Sequence, residues 1–342
     1  MKHWDFAIGN PPYMETTESD STRMPPVYNM FMDEAFKVAD TVELITPARF
    51  LFNTGFTPKA WNEKMLSDEH FKILQYEADS SKIFPSATIT GGLAVSYRNA
   101  NKKCGAIGTY SKYAEVNAIL QKVKYVSSNF MDEIVYPSLN YGVSDQMKQE
   151  HPDLLDRLRT SAFTTLSDLF FEQPPKDGHS YIAMIGLLHS KRTIRYIRRD
   201  YIKDNGAILD KYNLLLSEAN GAAGQIGTPV PARIIGVPEI LKPGVAYTQT
   251  FIGIGAFDTE ENATNAAKYV QTQFARLMIG VKKATQHTPR PTWSCVPLQD
   301  FTSASDIDWS KSIAEIDQQL YKKYGLTDEE IQFIETHVKE MN

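Results

Sequence analysis

Long apolar runs and cysteine pairs are what this sequence most clearly lacks. No window reaches the roughly eighteen apolar residues of a membrane-spanning helix, so none is predicted. The first residues also lack the apolar core of a secretory signal. Cys104 and Cys295 stand far apart, without metal-ligand spacing. A disulfide framework and a metal site are therefore not predicted, and a reducing cytoplasm is the expected location.

An excess of positive charge is also missing, since the formal net charge of the 342 residues is −5. A nucleic-acid partner would therefore have to bind a local basic surface rather than the protein as a whole. The composition, 42% apolar and 23% charged, is that of an ordinary globular protein. At this length two domains are expected.

Residues 1–110 alternate strand-like and helix-like stretches. Short apolar or β-branched runs predict strands, and apolar residues at helical spacing predict the helices between them. Thr57 is the predicted N-cap of the second helix, with Pro58 at its first position. The order is typical of an α/β sheet with crossover helices. It reads β-α-β-α-β-β, over residues 5–9, 27–40, 42–47, 57–66, 71–77 and 88–98.

The rest of the chain predicts a second, less regular part. Small and polar residues at 99–112 indicate a linker, and a helix is predicted at 114–123. The segment up to about residue 255 predicts mixed or mainly β structure, with Gly- and Pro-rich turns at 220–244. Such a composition favours a separate domain of mixed structure.

Helices dominate the predictions for the C-terminal part. Residues 259–284 predict one long helix with Thr259 as a weak N-cap. Two short helices joined at Gly325 are predicted for residues 312–341, the second with Thr327 as N-cap and an acidic first turn. The long helix has one apolar stripe: Ala263, Ala266, Ala267, Val270, Phe274, Leu277 and Met278.

Asn10, Pro11, Pro12 and Tyr13 follow the first predicted strand directly. The two prolines lack an N–H and have a fixed φ, so the loop is stiff and its carbonyl oxygens are free to accept hydrogen bonds. With the Asn10 amide oxygen they offer two acceptors to an amino group, and Tyr13 offers a face for a planar base or amide. An ordinary β-turn is the competing interpretation. The position favours a site, because open α/β sheets bind ligands at the carboxyl ends of their strands.

Several stretches carry a resemblance to a known family. Residues 5–13 resemble motif IV of the amino-methyltransferases that act on adenine N6 in DNA. Residues 83–98 resemble motif VIII, with Phe84 at the position of a Phe that packs on the target base. Residues 28–36 and 44–51 are similar to the helix and strand between these motifs. Residues 282–301 and those after them resemble the end of large, gamma-type restriction–modification methyltransferases, of the type IIG-like fused kind.

The resemblance implies an α/β fold: the second half of a Rossmann-like methyltransferase sheet, then a mixed α+β target-recognition domain and a helical C-terminal segment. The implied divisions are residues 1–110, a partial catalytic domain, 111–300, a DNA-binding domain, and 301–342. The implied activity transfers a methyl group from S-adenosylmethionine to N6 of an adenine flipped out of double-stranded DNA. Neither a metal nor a covalent nucleophile is required. The implied catalytic residues are Asn10, Pro11, Pro12 and Tyr13, with Phe84 stacking on the base.

The methyl-donor site of that family is expected to lie outside this chain. Nothing before Asp5 can form the strand and Gly-rich turn that would bind S-adenosylmethionine. Residues 221–227 and 253–258 contain glycines, but turns are the favoured interpretation of both. We expect a C-terminal fragment that does not bind the donor alone and transfers little or no methyl. The donor half would come from the N-terminal part of the same protein or, less favoured, a partner subunit. The first strand should then be an open sheet edge.

Two other functions compete with this interpretation. A protein glutamine-amide methyltransferase uses the same motif, but such chains end soon after the catalytic sheet, and a long second part follows here. A DNA-recognition module without catalysis is the non-enzymatic alternative. A full restriction–modification enzyme can also carry a nuclease, yet Glu239 and Lys242 lack the spacing of an acidic nuclease motif.

Two basic stretches are candidates for DNA contact. In the denser one, Arg195 and Arg199 would share one face of a strand, and Arg192 and Arg198 the other. A hairpin edge protected by charge is the competing interpretation. The second stretch is a Thr- and Pro-rich loop, for which interdomain packing competes. The candidate residues are Lys191, Arg192, Arg195, Arg198, Arg199, Lys282, Lys283 and Trp293.

Overall fold

The computed structural model describes residues 3–15, 25–85, 89–157 and 162–341. Two compact units divide the chain, Met1–Asn117 and Ala118–Asn342. Each has its own sheets, so the structure is mixed α and β. The predicted division into residues 1–110, 111–300 and 301–342 stays a prediction.

In the part of the first unit that the structure describes, one sheet has helices between its strands. The strand order is β1-β2-β4-β3, with β1 and β2 parallel and β4 antiparallel to both of its neighbours. The predicted β-α-β-α-β-β order is confirmed. Its elements are β1 (Trp4–Gly9), α1 (Tyr28–Val38), β2 (Ala39–Pro47), α2 (Lys59–Ser67), β3 (Phe71–Glu77) and β4 (Leu93–Asn99).

Two local predictions in this unit are wrong. Pro58, not Thr57, is the N-cap of α2, and the Thr57 hydroxyl instead donates to Asn62 Oδ1 at 2.8 Å. The last strand begins at Leu93 because Gly91 and Gly92 form a turn with φ of 91° and 78°. A Cβ at Gly92 would lie 2.4 Å from the Glu77 carbonyl oxygen, so only glycine allows this turn. The predicted start at Thr88 lies outside the described residues.

Strand β1 lies at the edge of this sheet, as far as the described residues show. Ala7 packs against the core on one face of the strand. On the other face Trp4, Phe6 and Ile8 are 52%, 69% and 78% exposed. An amphipathic sheet would place such residues inward, so this face of β1 is an uncovered apolar surface.

The core of the first unit is aromatic. Tyr28 on α1 and Trp61 on α2 meet edge to face, with ring centroids 6.2 Å apart. Phe50, in a short 3₁₀ turn after β2, lies 5.3 Å from Trp61 and 6.3 Å from Phe71. Offset aromatic pairs of this kind add to the burial energy of each ring, and they fix the segment that leaves β2.

Within its described residues, the second unit has three sheets, with strand orders β11-β10-β13-β5, β12-β7-β8 and β6-β9. The mixed structure predicted for this region is confirmed. The helix predicted at residues 114–123 is α3 (Ala114–Val126), which spans the boundary between the units. The remaining strands are β5 (Val135–Tyr136), β6 (Tyr141–Val143), β7 (Tyr181–Leu188), β8 (Lys191–Arg198), β9 (Ile202–Asp204), β10 (Tyr212–Ser217), β11 (Glu239–Leu241), β12 (Val245–Tyr247) and β13 (Phe251–Phe257). The remaining helices are α4 (Asp145–Glu150), α5 (Ala162–Thr165), α6 (Glu260–Gln271), α7 (Gln273–Lys282), α8 (Ile313–Lys323) and α9 (Asp328–His337).

The long helix predicted at residues 259–284 is two helices, so that prediction is wrong. Thr272 has an extended backbone, and its hydroxyl donates to the Tyr269 carbonyl and accepts from the Ala275 N–H. A threonine in this role ends one helix and caps the next. The predicted apolar stripe is buried throughout, and Thr259 caps α6 as predicted.

The C-terminal helices follow the prediction. Gly325, with φ of 60°, separates α8 from α9, and Thr327 with Glu330 forms a capping box. A carboxylate of α8, Asp317, accepts hydrogen bonds from the N–H groups of Gln273 and Phe274 at the start of α7. These helices therefore pack within the second unit. Over the described residues, no helix is both long enough and apolar enough to span a bilayer.

Candidate active site

The loop of Asn10 to Tyr13 leaves the carboxyl end of β1 beside the carboxyl end of β2. The two strands are parallel, with Gly9 opposite Leu44, so both exit loops lie at the same edge of the sheet. Asn10 and Pro12 are exposed, and Pro11 and Tyr13 are half-buried. This edge is where open α/β sheets place their ligands.

Backbone hydrogen bonds hold Tyr13 against the segment before α1. The Val27 nitrogen donates to the Tyr13 carbonyl at 3.1 Å, and the Glu15 nitrogen donates to the Pro25 carbonyl at 3.1 Å. The loop therefore forms a short antiparallel bridge although its prolines cannot donate. The position of the Tyr13 ring depends on this bridge, which the sequence did not indicate.

Tyr13 lines a pocket of about 260 Å³. This volume is slightly below the range of drug-sized sites and suits one flat ring system. Residues from both exit loops and from the start of α1 meet there. The described residues that line it are Tyr13, Met14, Pro26, Tyr28, Pro47, Arg49, Gly55, Phe56 and Ile89.

Burial controls the electrostatics of the two tyrosines. It raises the pKa of Tyr13, and the nearby Asn10 side chain partly opposes the shift. Burial also raises the pKa of Tyr28 to about 12, although a hydrogen bond with the Thr57 side chain and the positive charge of Arg49 both lower it. Both phenols are therefore neutral at physiological pH. The Tyr13 hydroxyl is buried and has no hydrogen-bond partner of normal geometry among the described residues.

Phe56 and Arg49 are pocket residues to which the sequence analysis assigned no role. Phe56 is 60% exposed and follows Gly55, whose φ of 92° turns the chain toward the pocket. Arg49 lies two residues beyond the end of β2, at the start of a short 3₁₀ turn. The turn-forming Asn-Thr-Gly before Phe56 was the one signal available.

Phe84, the predicted stacking residue, is not among the described residues that line this pocket. It is half-buried and follows a short 3₁₀ turn, with its nitrogen bonded to the Ser80 carbonyl at 2.8 Å. Ile89 is held to the same serine, through Ser80 Oγ, and does line the pocket. Phe56, and not Phe84, therefore lines the pocket together with Tyr13.

The glycines of the two Gly-rich stretches serve packing. A Cβ at Gly253 would lie 2.6 Å from the Tyr247 hydroxyl, and one at Gly224 would lie 2.6 Å from Pro229. The helix after β13 begins with Glu260 and Glu261, which disfavour an anionic ligand at its N-terminus. Neither stretch fits an S-adenosylmethionine site.

The basic stretch predicted to contact DNA forms β8, which pairs with β7 in a hairpin closed by a two-residue turn. Arg199 lies beyond the end of β8. His189 and Ser190 form the turn, with φ of 49° and 62°. No ion pair of Lys191 is found in the described part of the chain, whereas all four arginines have carboxylate partners. Arg192 pairs with Glu239, Arg195 with Glu172, Arg198 with Glu150 and Asp200, and Arg199 with Asp210.

The second basic stretch divides between surface and core. Lys282 is exposed and donates to Ser294 Oγ at 2.6 Å. Lys283 is 4% exposed, and its ammonium donates to the carbonyls of Ile234 at 2.6 Å and Gly224 at 2.8 Å. Trp293 is fully buried, with its indole N–H on the Thr288 carbonyl. Lys283 and Trp293 thus have no surface to offer DNA, which corrects their assignment.

A known protein family matches the first quarter of this chain. Residues 1–84 match the family described as Eco57I restriction-modification methylase. No curated protein matches the chain. Among solved structures, the type IIL restriction-modification enzyme MmeI in complex with DNA is similar at 8% identity and a TM-score of 0.32, over 96% of this chain and 56% of that one. The chain thus spans little more than half the length of that enzyme. The N-terminal segment is similar to restriction-modification methylases.

Proposed function

We propose that this chain supplies the target-base half of a DNA adenine-N6 methyltransferase of a restriction–modification system. The observation that carries the proposal is the placement of Asn10 to Tyr13 at the carboxyl end of β1, with Tyr13 in a pocket sized for one planar ring. The match of residues 1–84 to a restriction-modification methylase family supports the same assignment.

In this proposal the loop binds and orients the target amine. Asn10 is exposed at the edge of the sheet, so its amide oxygen is available to a ligand. That oxygen and the Pro11 carbonyl each accept one N–H of the adenine amino group, which directs the nitrogen lone pair away from the protein. Pro12 keeps the loop stiff. The Tyr13 ring stacks on the base, replacing the stacking that is lost when the base leaves the duplex.

A second aromatic residue is needed on the other side of a flipped base. Phe56 lines the same pocket as Tyr13, and we assign the second stacking contact to it in preference to Phe84. The pocket is otherwise mainly apolar, which suits a base removed from water.

The methyl donor would be S-adenosylmethionine, and we propose that its site lies outside this chain. The glycines of the two Gly-rich stretches pack against neighbouring residues instead. The free edge of β1 favours a further strand beside it, and the exposed side chains of Trp4, Phe6 and Ile8 favour a covering element on that face. We assign that strand to an N-terminal part of the same protein or to a partner subunit that carries the donor site.

The second unit is proposed to bind double-stranded DNA. Lys191 at the hairpin turn and Lys282 beside the Ser294 loop are the exposed cations best placed for phosphate contact. The β8 arginines would contribute to binding only after exchanging a carboxylate for a phosphate. A recognition module without catalysis remains the alternative function of the isolated chain.

Methylation of DNA adenine tests the proposal. The purified chain should give no N6-methyladenine from S-adenosylmethionine, and addition of the donor-binding part should restore the product. Asn10→Ala should abolish the restored activity. Methylation by the chain alone would reject the division of labour, and methylation of cytosine or protein glutamine would reject the assigned substrate. DNA binding without methylation in the restored system would favour the recognition module.

A further inference from the structure

Arg49 is the one charged side chain among the described residues that line the Tyr13 pocket. The other polar groups of its lining are the tyrosine hydroxyls of Tyr13 and Tyr28. A cation in a mainly apolar pocket must keep part of its hydration or acquire an anionic partner, because burying it unpaired is costly. No ion pair of Arg49 is found in the part of the chain that the structure describes.

The Arg49 side chain is held rigidly in this position. Its Nε–H donates to the Thr90 carbonyl oxygen. Its aliphatic stem passes close to two glycines: a Cβ at Gly91 would clash with Cγ at 2.7 Å, and one at Gly55 would make a tight contact with Cδ at 3.1 Å. Both glycines have positive φ. Two turns are thus built around the stem of one arginine, and the hydrogen bond uses Nε.

The two terminal nitrogens of the guanidinium are left for a ligand. No hydrogen bond from either is found to a described residue, whereas Nε has its acceptor. The buried Tyr13 hydroxyl, also without a partner among the described residues, is a second donor in the same lining. Two unused donors in one pocket call for a ligand rich in acceptors.

We propose that Arg49 binds a phosphate of the nucleotide whose base occupies the Tyr13 pocket. The free guanidinium edge formed by the two terminal nitrogens matches a phosphate oxygen pair, and such charge-assisted bonds are among the strongest available to a side chain. The proposal rests on the proposed function, because it takes the base to be adenine. It adds that the pocket recognises a nucleotide rather than a free base, with Arg49 as a specificity-determining residue.

Equilibrium binding of small probes to the full chain tests this site. Deoxyadenosine is compared with its 5′- and 3′-monophosphates by isothermal titration calorimetry at low ionic strength. At least one monophosphate should bind about ten-fold tighter than the nucleoside. Arg49→Gln should remove that difference, so that the ratio of monophosphate to nucleoside affinity falls to about one. Arg49→Lys, which keeps the charge but not the fork, should retain part of it. Lys59→Gln removes an exposed charge of the same unit outside the pocket lining and should change nothing.

Several results would overturn the assignment. Equal affinity for nucleoside and monophosphates in the unaltered chain would do so, and so would the absence of monophosphate binding at millimolar concentration. An equal loss of all ligands in both Arg49 variants would show a structural role instead. The other source of an oxyanion is the carboxylate of the methyl donor, so S-adenosylhomocysteine is compared with 5′-methylthioadenosine, which lacks it. Dependence on Arg49 in that pair alone would reject the phosphate.

Failure of the proposed function has a different signature. If deoxyguanosine and deoxyadenosine monophosphates bind equally and both depend on Arg49, the phosphate site stands and adenine recognition by the loop is rejected. If deoxyadenosine binds with preference and Arg49→Gln has no effect on the monophosphates, the adenine site stands and the phosphate site is rejected.

Discussion

The backbone nitrogen of Val27 donates a hydrogen bond to the carbonyl oxygen of Tyr13, 3.1 Å away. Val27 is the residue before α1, so this bond joins the proline-rich loop to the start of a helix whose first residue, Tyr28, is buried in the aromatic core. A loop whose prolines cannot donate is thereby held through its acceptors. The ring of Tyr13 is thus positioned by the core of its unit.

Replacement of Asn10 by Ala should affect ligand binding and not stability. Asn10 is exposed, and such a change alters the unfolding free energy by no more than about 0.5 kcal/mol. The unaltered chain should bind deoxyadenosine several-fold tighter than purine deoxyriboside, which lacks the amino group, because one or two hydrogen bonds are lost. Asn10→Ala should remove this preference, as measured by titration calorimetry. Asn101→Ala, an exposed asparagine of the same unit, is the control; a preference that survives in Asn10→Ala contradicts the amine clamp.

The exposed face of β1 should promote self-association of the chain. Phe6 and Ile8 already contact water, so Phe6→Thr with Ile8→Thr should leave stability nearly unchanged and keep good strand formers in place. Sedimentation velocity over a range of concentrations should show less association of this variant, because the strand at the open edge loses its exposed apolar side chains. Tyr125→Thr alters a residue that is 92% exposed elsewhere and should behave like the unaltered chain. Identical sedimentation of all three proteins would refute the role of this face.

Substitution by Gln should change different properties at the neighbouring Lys282 and Lys283: DNA binding at the first and stability at the second. Lys283→Gln should lower the unfolding free energy by about 1–3 kcal/mol, because it removes a buried donor from the carbonyls of Gly224 and Ile234. Lys282→Gln should leave stability nearly unchanged and, if Lys282 contacts a phosphate, weaken DNA binding with a salt slope lower by about one. Urea denaturation and DNA binding at several salt concentrations measure both. Weaker DNA binding by a fully stable Lys283→Gln would contradict the buried position.

Stability should depend on pH through Asp317. Burial raises the pKa of this carboxyl from 3.8 to about 7. The hydrogen bonds that it accepts from two backbone N–H groups lower the pKa but do not offset the burial. Because the folded-state pKa is the higher one, its contribution to stability is complete below about pH 4 and is lost as the pH rises to 7. The stability difference between the unaltered chain and Asp317→Asn should therefore fall over this range, by at most about 1.4 kcal/mol per pH unit, and level off above it. Urea denaturation at each pH measures this; Asp328→Asn, in the first turn of α9, is the control. A difference that rises with pH would refute the shift.

Local patterns predicted most elements of the first unit. Alternating apolar residues and helical spacing located β1, α1, β2 and β3 to within a few residues. Errors occurred where one side chain had two possible partners: Thr57 bonds a side chain of α2 instead of capping it, and Thr272 interrupts an otherwise continuous apolar stripe. Each choice depends on free energies of about 1 kcal/mol, which the surrounding packing outweighs.

The sequence located the candidate loop because its chemistry is contiguous, and the role of that loop stays a prediction. The Asn-Pro-Pro-Tyr loop was placed at a strand end because four consecutive residues carry that information. Arg49, Phe56 and Tyr13 come together only because β1 and β2 are parallel and their exit loops share one edge. Phe84 was assigned by similarity alone, and it is not among the described residues that line the pocket, so its stacking role stays a prediction.

The sequence by itself determined the strand and helix order of the first unit, the capped C-terminal helices and a stiff acceptor loop, since these depend on residue type and spacing within a few positions. Tertiary structure alone decided which charges are available. Lys282 and Lys283 are identical neighbours, yet one lies in water and the other among backbone carbonyls. Likewise, Arg192 and Arg195 of β8 are matched by carboxylates from distant segments, whereas no carboxylate lines the pocket of Arg49 among the described residues. Burial and pairing depend on residues far apart in the chain, so no local pattern could reveal them.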